Sequence, residues 1–203
     1  ERFKRHEDEA QHCPYKAKDF RSLWEHYTRV NDPRRANGRL YLLASVLSIC
    51  TLAVLCGCRG TRAIADFAEH LSQTQRRLLR CYWNRKTQKY NAPSEPTIRR
   101  ILKGISAEEF DNAVMAWQAE RDPKPLRRLA VDGKTVKQAR AADGRALHLV
   151  AAVSPDSGRL CAQRPVDEKS NEITALRPML DPLALDSVVV TADAMQAQQK
   201  AGH

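Results

Sequence analysis

The stretch Leu129-Ala130-Val131-Asp132-Gly133-Lys134-Thr135 decides how this chain is read. In it a short apolar run closes on an acidic residue. Further along, Val188-Val189-Val190-Thr191-Ala192-Asp193 closes the same way. A buried strand that ends on a carboxylate sets that carboxylate at the rim of its sheet. Two such strands side by side would hold two carboxylates over one spot, the arrangement that grips a divalent metal. Taken singly, either Asp only starts a turn; taken together they point to a metal site.

Working outward, the apolar periodicity here is that of strands. Leu129 to Val136 reads as a strand and Ala146 to Val153 as a second. The Pro155-Asp156-Ser157-Gly158 turn joins that one to a third, Arg159 to Val166. Asn171 to Leu180 reads as a helix started by Ser170 or Asn171. Ser187 to Ala192 is the fourth strand, and Met195 to His203 begins another helix. Three hairpin-linked strands and a helical crossover to a fourth open a ribonuclease-H-like sheet. In that order the first and fourth strands are neighbours, so Asp132 and Asp193 meet at one rim.

Upstream the pattern is helical from Leu40 to Glu120. Leu40 to Cys56 forms a buried helix stopped by Gly57 and Gly60. Thr61 caps a second helix with Ile64, Phe67, Ala68 and Leu71 on one face. Gln73 to Tyr82 is a basic amphipathic segment. Ser94 caps a short helix with Pro96 in its first turn and Ile98, Ile101 and Leu102 inward. Ser106 and Glu109 make a capping box for a helix through Trp117. Arg121 to Arg128, with Pro123 and Pro125, has the composition of a linker. The fold class is therefore α+β, an all-helical N-terminal domain followed by the first half of a ribonuclease-H-like mixed sheet. The domains are a polar extension over 1–39, in which Trp24 and Tyr27 dock on a neighbour, a helical domain over 40–122, and a partial ribonuclease-H-like domain over 126–203.

Hydrophobic residues make up 42% of the 203, enough for a core and too many for a disordered chain. The net charge of +10 favours a polyanionic partner, and nucleic acid is the commonest. The basic residues cluster, as Arg34, Arg35 and Arg39; Arg76, Arg77 and Arg80; Arg99, Arg100 and Lys103; Arg127 and Arg128. None of the six cysteines forms a Cys-x-x-Cys pair. They read as reduced thiols of a cytoplasmic, nucleoid-associated protein. One rival is a small membrane protein: Leu40 to Cys58 is nearly free of charge and flanked by arginines. Against it stand Ser45, Ser48, Thr51 and the absence of a second such stretch.

Four runs then match a known pattern. Val131-Asp132-Gly133-Lys134, His148-Leu149-Val150-Ala151-Ala152, Val166-Asp167-Glu168-Lys169-Ser170-Asn171-Glu172-Ile173 and Thr191-Ala192-Asp193-Ala194 resemble the DDE transposases of bacterial insertion sequences, and within them the H-repeat-associated (ISAs-type) group. Asp32-Pro33-Arg34-Arg35, Leu52-Ala53-Val54-Leu55-Cys56-Gly57 and Pro93-Ser94-Glu95 before Thr97-Ile98-Arg99-Arg100 look like that group's accessory domain. The resemblance runs from about Asp32 onward, and its strength lies in several motifs occurring in order.

It implies that Asp132 matches the first catalytic and metal-holding Asp and Asp193 the second. It further implies Mg²⁺ or Mn²⁺, cleavage of double-stranded DNA at element ends, and strand transfer. The group's third acid is a Glu well downstream, and the sequence stops ten residues after Asp193. The expectation is thus a C-terminally truncated, inactive copy. Its open fourth strand would make the C-terminal half unstable or prone to pair with another chain, in a homo-oligomer for example. A non-catalytic DNA-binding remnant occupying element ends is the alternative. Glu172 heads a helix, where a negative charge has a structural use, rather than replacing the missing acid. His148 reads as a hydrogen-bonded core histidine, Cys161 as core, and Asp167, Glu168 and Lys169 as a charged loop. For DNA, Thr61 to Leu71 and Ser94 to Leu102 read either as a helix-turn-helix-like pair that presents Thr97, Arg99, Arg100 and Lys103 or as an ordinary helical bundle with a basic surface, and Lys134 either touches a phosphate or stands in water at a strand end.

Overall fold

The computed structural model describes residues 17–140, 146–166 and 172–192. The chain separates into two compact units, Glu1–Val114 and Met115–His203.

The first unit is built on helices α1 (Ala17–Tyr27), α2 (Leu43–Leu55), α3 (Gly60–His70), α4 (Gln73–Leu78) and α5 (Glu95–Gly104). It takes in the start of α6 (Ala107–Arg121) and a hairpin of β1 (Tyr82–Asn84) and β2 (Lys89–Asn91). α2 is apolar on every side, and such a helix must be enclosed. Nine of its thirteen residues are buried. The Ser45 and Thr51 hydroxyls have partners inside the unit. Trp24 Nε1 donates to Ser45 Oγ at 3.3 Å, Ser45 Oγ donates to the Arg80 carbonyl at 3.2 Å, and Tyr27 and Thr51 share a hydrogen bond of 2.6 Å. The aromatic pair expected to dock on a neighbour therefore docks on α2. Leu23 and Tyr27, one turn apart, are fully buried, so this part of the 1–39 segment belongs to the core. Tyr27 also stacks on Phe110 at 5.4 Å. Burial pushes its phenol well above the usual tyrosine range.

At 1.5 Å per residue α2 is about 20 Å long, short of the roughly 30 Å hydrocarbon layer. Among the described residues no single helix is long and apolar enough to cross a membrane. α2 ends where Gly57 takes φ +82°, with Gly57 N donating to Val54 O and Cys58 N to Ala53 O, both at 2.9 Å.

Three local expectations are corrected. Thr61 does not cap α3: the cap position is Arg59, without a side-chain bond. The Thr61 hydroxyl donates to Glu95 Oε1 at 2.6 Å, because a carboxylate is a stronger acceptor than a backbone group. Ser106 does accept from Glu109 N at 3.2 Å, but the Glu109 carboxylate accepts from Asn31 N at 2.6 Å. The third correction is the hairpin, which interrupts the helical pattern expected from Leu40 to Glu120 and takes the end of the basic amphipathic segment Gln73–Tyr82 into β1. α4 has a full capping box between Ser72 and Gln75 but only six residues. It stops at Arg80, whose φ is +53°. Asp32 organises the chain before α2: Arg34 binds its carboxylate through Nε at 2.8 Å and Nη2 at 2.7 Å. Arg34 also reaches the Tyr41 carbonyl at 2.8 Å. Those bonds to Arg34 hold the Asp32 carboxyl below its usual range.

The second unit is a four-stranded mixed sheet of β3 (Arg128–Arg140), β4 (Ala146–Val153), β5 (Leu160–Val166) and β6 (Val189–Ala192), with α7 (Glu172–Leu180) before β6. The order is β5-β4-β3-β6. β3, β4 and β5 pair antiparallel, and β6 pairs parallel with β3. This is the α+β architecture expected, with the first and fourth strands adjacent. Leu176 and Met179 of α7 lie in one core with Leu129, Val131, Val150, Ala152, Ala162 and Val166. Gly158, at φ +70°, turns the β4–β5 hairpin, and Ser154 N bonds the Arg159 carbonyl at 2.8 Å. The helix expected from Met195 lies outside the described residues.

Candidate catalytic rim and nucleic-acid interface

Strand alternation decides where Asp132 sits. Leu129 and Val131 are buried in the core, so Ala130, Asp132 and Lys134 take the opposite face of the sheet. Asp132 and Lys134 are both exposed. Asp132 is not at a strand end, because β3 continues to Arg140 and Asp132 pairs with Ala151 of β4. What ends near it is its other neighbour: the described β6 closes at Ala192, beside Val131. Asp193 lies outside the described residues, as do Asp167, Glu168 and Lys169. Glu172 is the first residue of α7.

A hard divalent ion takes several oxygen ligands. The exposed Asp132 carboxylate is a suitable donor. Among the described residues no three His, Cys, Asp or Glu side chains converge to complete a set. His148 is accounted for structurally: its Nδ1 hydrogen-bonds Thr135 Oγ1 across the β3–β4 pair at 2.8 Å. Cys161 packs partly buried against the sheet core. All five described cysteines are free thiols. Burial pushes Cys50 up to about 12 and Cys81 up to about 11, so both stay protonated near neutrality and are poor nucleophiles or ligands.

The basic residues separate into engaged and free. On α5, Arg99 is bound to Glu95 through Nε at 2.8 Å, and the Thr61 and Arg99 bonds keep that carboxyl below its usual range. Arg100 and Lys103 are exposed, while Thr97 is half-buried beside Ser94. α3 and α5 pack together, as a helix-turn-helix-like pair requires. Between them in sequence, however, stand α4 and the hairpin. The sequence reading passed over the hairpin cations Arg85, Lys86 and Lys89. The available signal was the charge pattern, since no Asp or Glu occurs between Glu69 and Glu95.

Residues 24–118 match the DDE_Tnp_1-associated family model, and residues 123–201 match the Transposase DDE domain. The chain is 38% identical over 174 residues to an uncharacterized protein in the dhlA 3′ region of Xanthobacter autotrophicus, covering 84% of this chain and 57% of that one. It is 30% identical over 187 residues to the H repeat-associated putative transposase YhhI of Escherichia coli (strain K12), covering 89% and 47%. With the H repeat-associated putative transposase YbfD of the same strain it shares 28% identity over 186 residues, covering 89% and 70%. The chain spans about half the length of the first two of these relatives. No solved structure matches. Two family models in consecutive order, over a helical unit and a mixed sheet with parallel β3 and β6, settle the assignment: the chain belongs to the H repeat-associated group of DDE transposases.

Proposed function

We propose that this protein acts on the double-stranded DNA of an insertion sequence, cutting at element ends and transferring strands, with Asp132 and Asp193 as paired metal-holding acids. The observation that carries the reading is the parallel pairing of β3 with β6, in which Leu129 faces Val190 and Val131 faces Ala192. Each strand's acid is the next residue in sequence after that pair. Mg²⁺ or Mn²⁺ held by these carboxylates would acidify the attacking hydroxyl, so that its proton passes to solvent, and would neutralise charge gathering on phosphorus. Lys134, two residues from Asp132 on the same face, is suited to hold a phosphate oxygen beside them. Arg100 and Lys103, with Thr97, offer contacts to the DNA backbone, while Arg99 has part of its charge committed to Glu95. Such a protein would work in the cytoplasm on the nucleoid.

The test is cleavage of a duplex carrying element ends by the full-length protein with Mn²⁺. Cleavage should fall to background in both Asp132→Asn and Asp193→Asn while DNA binding persists. Cleavage that survives Asp132→Asn would reject the assignment. Binding without cleavage under any metal would leave the other reading, a non-catalytic occupant of element ends, which the net charge of +10 supports.

A further inference from the structure

The 25 residues from His70 to Ser94 hold six cations, Arg76, Arg77, Arg80, Arg85, Lys86 and Lys89, and no acid. Arg77 is exposed on α4, and the structure divides the other five by task. Arg76 faces inward, giving Nη1 to the Tyr90 carbonyl at 3.0 Å and Nη2 to the Glu69 carbonyl at 2.5 Å. Arg80 lies over the Trp24 ring with its guanidinium carbon 3.9 Å from the centroid. Both are spent on holding the unit together. Arg85, Lys86 and Lys89 instead crowd into five consecutive residues at the tip of the β1–β2 hairpin. All three are exposed, and among the described residues none has an ion-pair partner.

A two-stranded hairpin is barely stable alone, yet this one is firmly mounted. Tyr90 N donates to Gln73 Oε1 at 2.7 Å, and Gln73 Nε2 donates to Tyr90 O at 3.2 Å. The glutamine amide thus stands in for a third strand along the outer edge of β2. Trp83 and Tyr90 pair across the strands at 4.7 Å, and Tyr41 Oη donates to the Ala92 carbonyl at 2.8 Å. At the tip, Asn84 Oδ1 accepts from Lys86 N at 2.9 Å and Thr87 N at 3.3 Å, and Gln88 takes φ +54°. The turn is therefore fixed by backbone and amide groups, which leaves its cationic side chains with no structural duty. Concentrated positive charge on a rigid projection, unopposed by any acid nearby in sequence, suits a row of phosphates.

We propose that the β1–β2 hairpin is a DNA-contacting wing, in which Arg85, Lys86 and Lys89 grip the phosphate backbone of duplex DNA independently of its sequence. The proposal rests on the reading of the protein as acting on DNA, and adds a binding surface that α5 does not supply.

The test compares three full-length proteins binding a random-sequence duplex across a salt series. They are the wild type, the tip variant Arg85→Ala/Lys86→Ala/Lys89→Ala, and an equal-charge control, Arg21→Ala/Arg29→Ala/Lys124→Ala, at exposed cations outside the basic clusters. Circular dichroism confirms that each is folded. Each phosphate that is no longer neutralised should take about 0.9 off the slope of log K against log salt. The tip variant should therefore show a slope shallower by about 2 to 3 and bind at least tenfold more weakly near 0.1 M salt, with the control close to wild type. A tip variant that binds like wild type, or a control that weakens as much, would overturn the wing while leaving DNA binding in place. A wild type that binds no duplex at low salt would overturn both the wing and the DNA-acting function.

Discussion

Leu43–Leu55 and Val188–Ala192 are among the most apolar runs in the chain, and they meet opposite fates. α2 is enclosed by its own unit, down to partners for the Ser45 and Thr51 hydroxyls. Among the described residues β6 has one strand neighbour, β3, and leaves Val189 61% and Val190 40% exposed. The difference teaches that apolar character alone does not say how a segment is stabilised. α2 is held by packing on several sides, β6 by a backbone ladder and one packed face.

That contrast can be broken most directly at its centre. Leu47 is fully buried in α2, so Leu47→Ala should cost the helical unit about 3 to 4 kcal/mol. Val190→Ala should cost under about 1 kcal/mol, since much of that side chain is already in water. Equal losses in denaturant unfolding would refute the contrast.

Next in size is Asp32, which closes the loop before α2 from a largely enclosed position. Asp32→Asn should cost about 2 kcal/mol, between the values for exposed and fully buried pairs. Its carboxyl is lowered in the folded state by the Arg34 bonds. Its contribution should then be complete above the unfolded value of about 3.9 and fade as pH falls through the lower folded value. Wild-type and variant stabilities measured against pH should converge at the acid end and be parallel near neutrality.

Smaller still, Thr61→Val removes one hydrogen bond to Glu95 and should cost about 1 kcal/mol. The smallest effect is expected on β6. Val189→Lys should change stability by less than about 0.5 kcal/mol in denaturant unfolding, because the Val189 side chain is already exposed.

What the sequence revealed follows the same division. The sheet order was legible because strand, hairpin, hairpin, helix, strand leaves few ways to place the fourth strand, and a parallel neighbour needs a crossover. α2 was legible from its unbroken apolar run. The β1–β2 hairpin was hidden by two three-residue strands and a turn without glycine, where Gln88 adopts the positive φ and Asn84 caps the turn. α1 was hidden because its charged residues dominate its composition, although Leu23 and Tyr27 lie one turn apart. Thr61 was misplaced because a cap rule sees only local backbone, whereas Glu95 arrives from 34 residues away. At the candidate rim the sequence proposed Asp132 and Asp193; the fold places Val131 beside Ala192, the residues that precede them, and Asp193 lies outside the described residues.

The most direct test of the central claim is Mn²⁺ titration followed by amide NMR of the protein and its Asp132→Asn variant. The account predicts paramagnetic broadening of Val131 and Gly133 on β3 together with Thr191 and Ala192 on β6, abolished in the variant. Broadening that leaves those four amides untouched, or persists undiminished in Asp132→Asn, would contradict it.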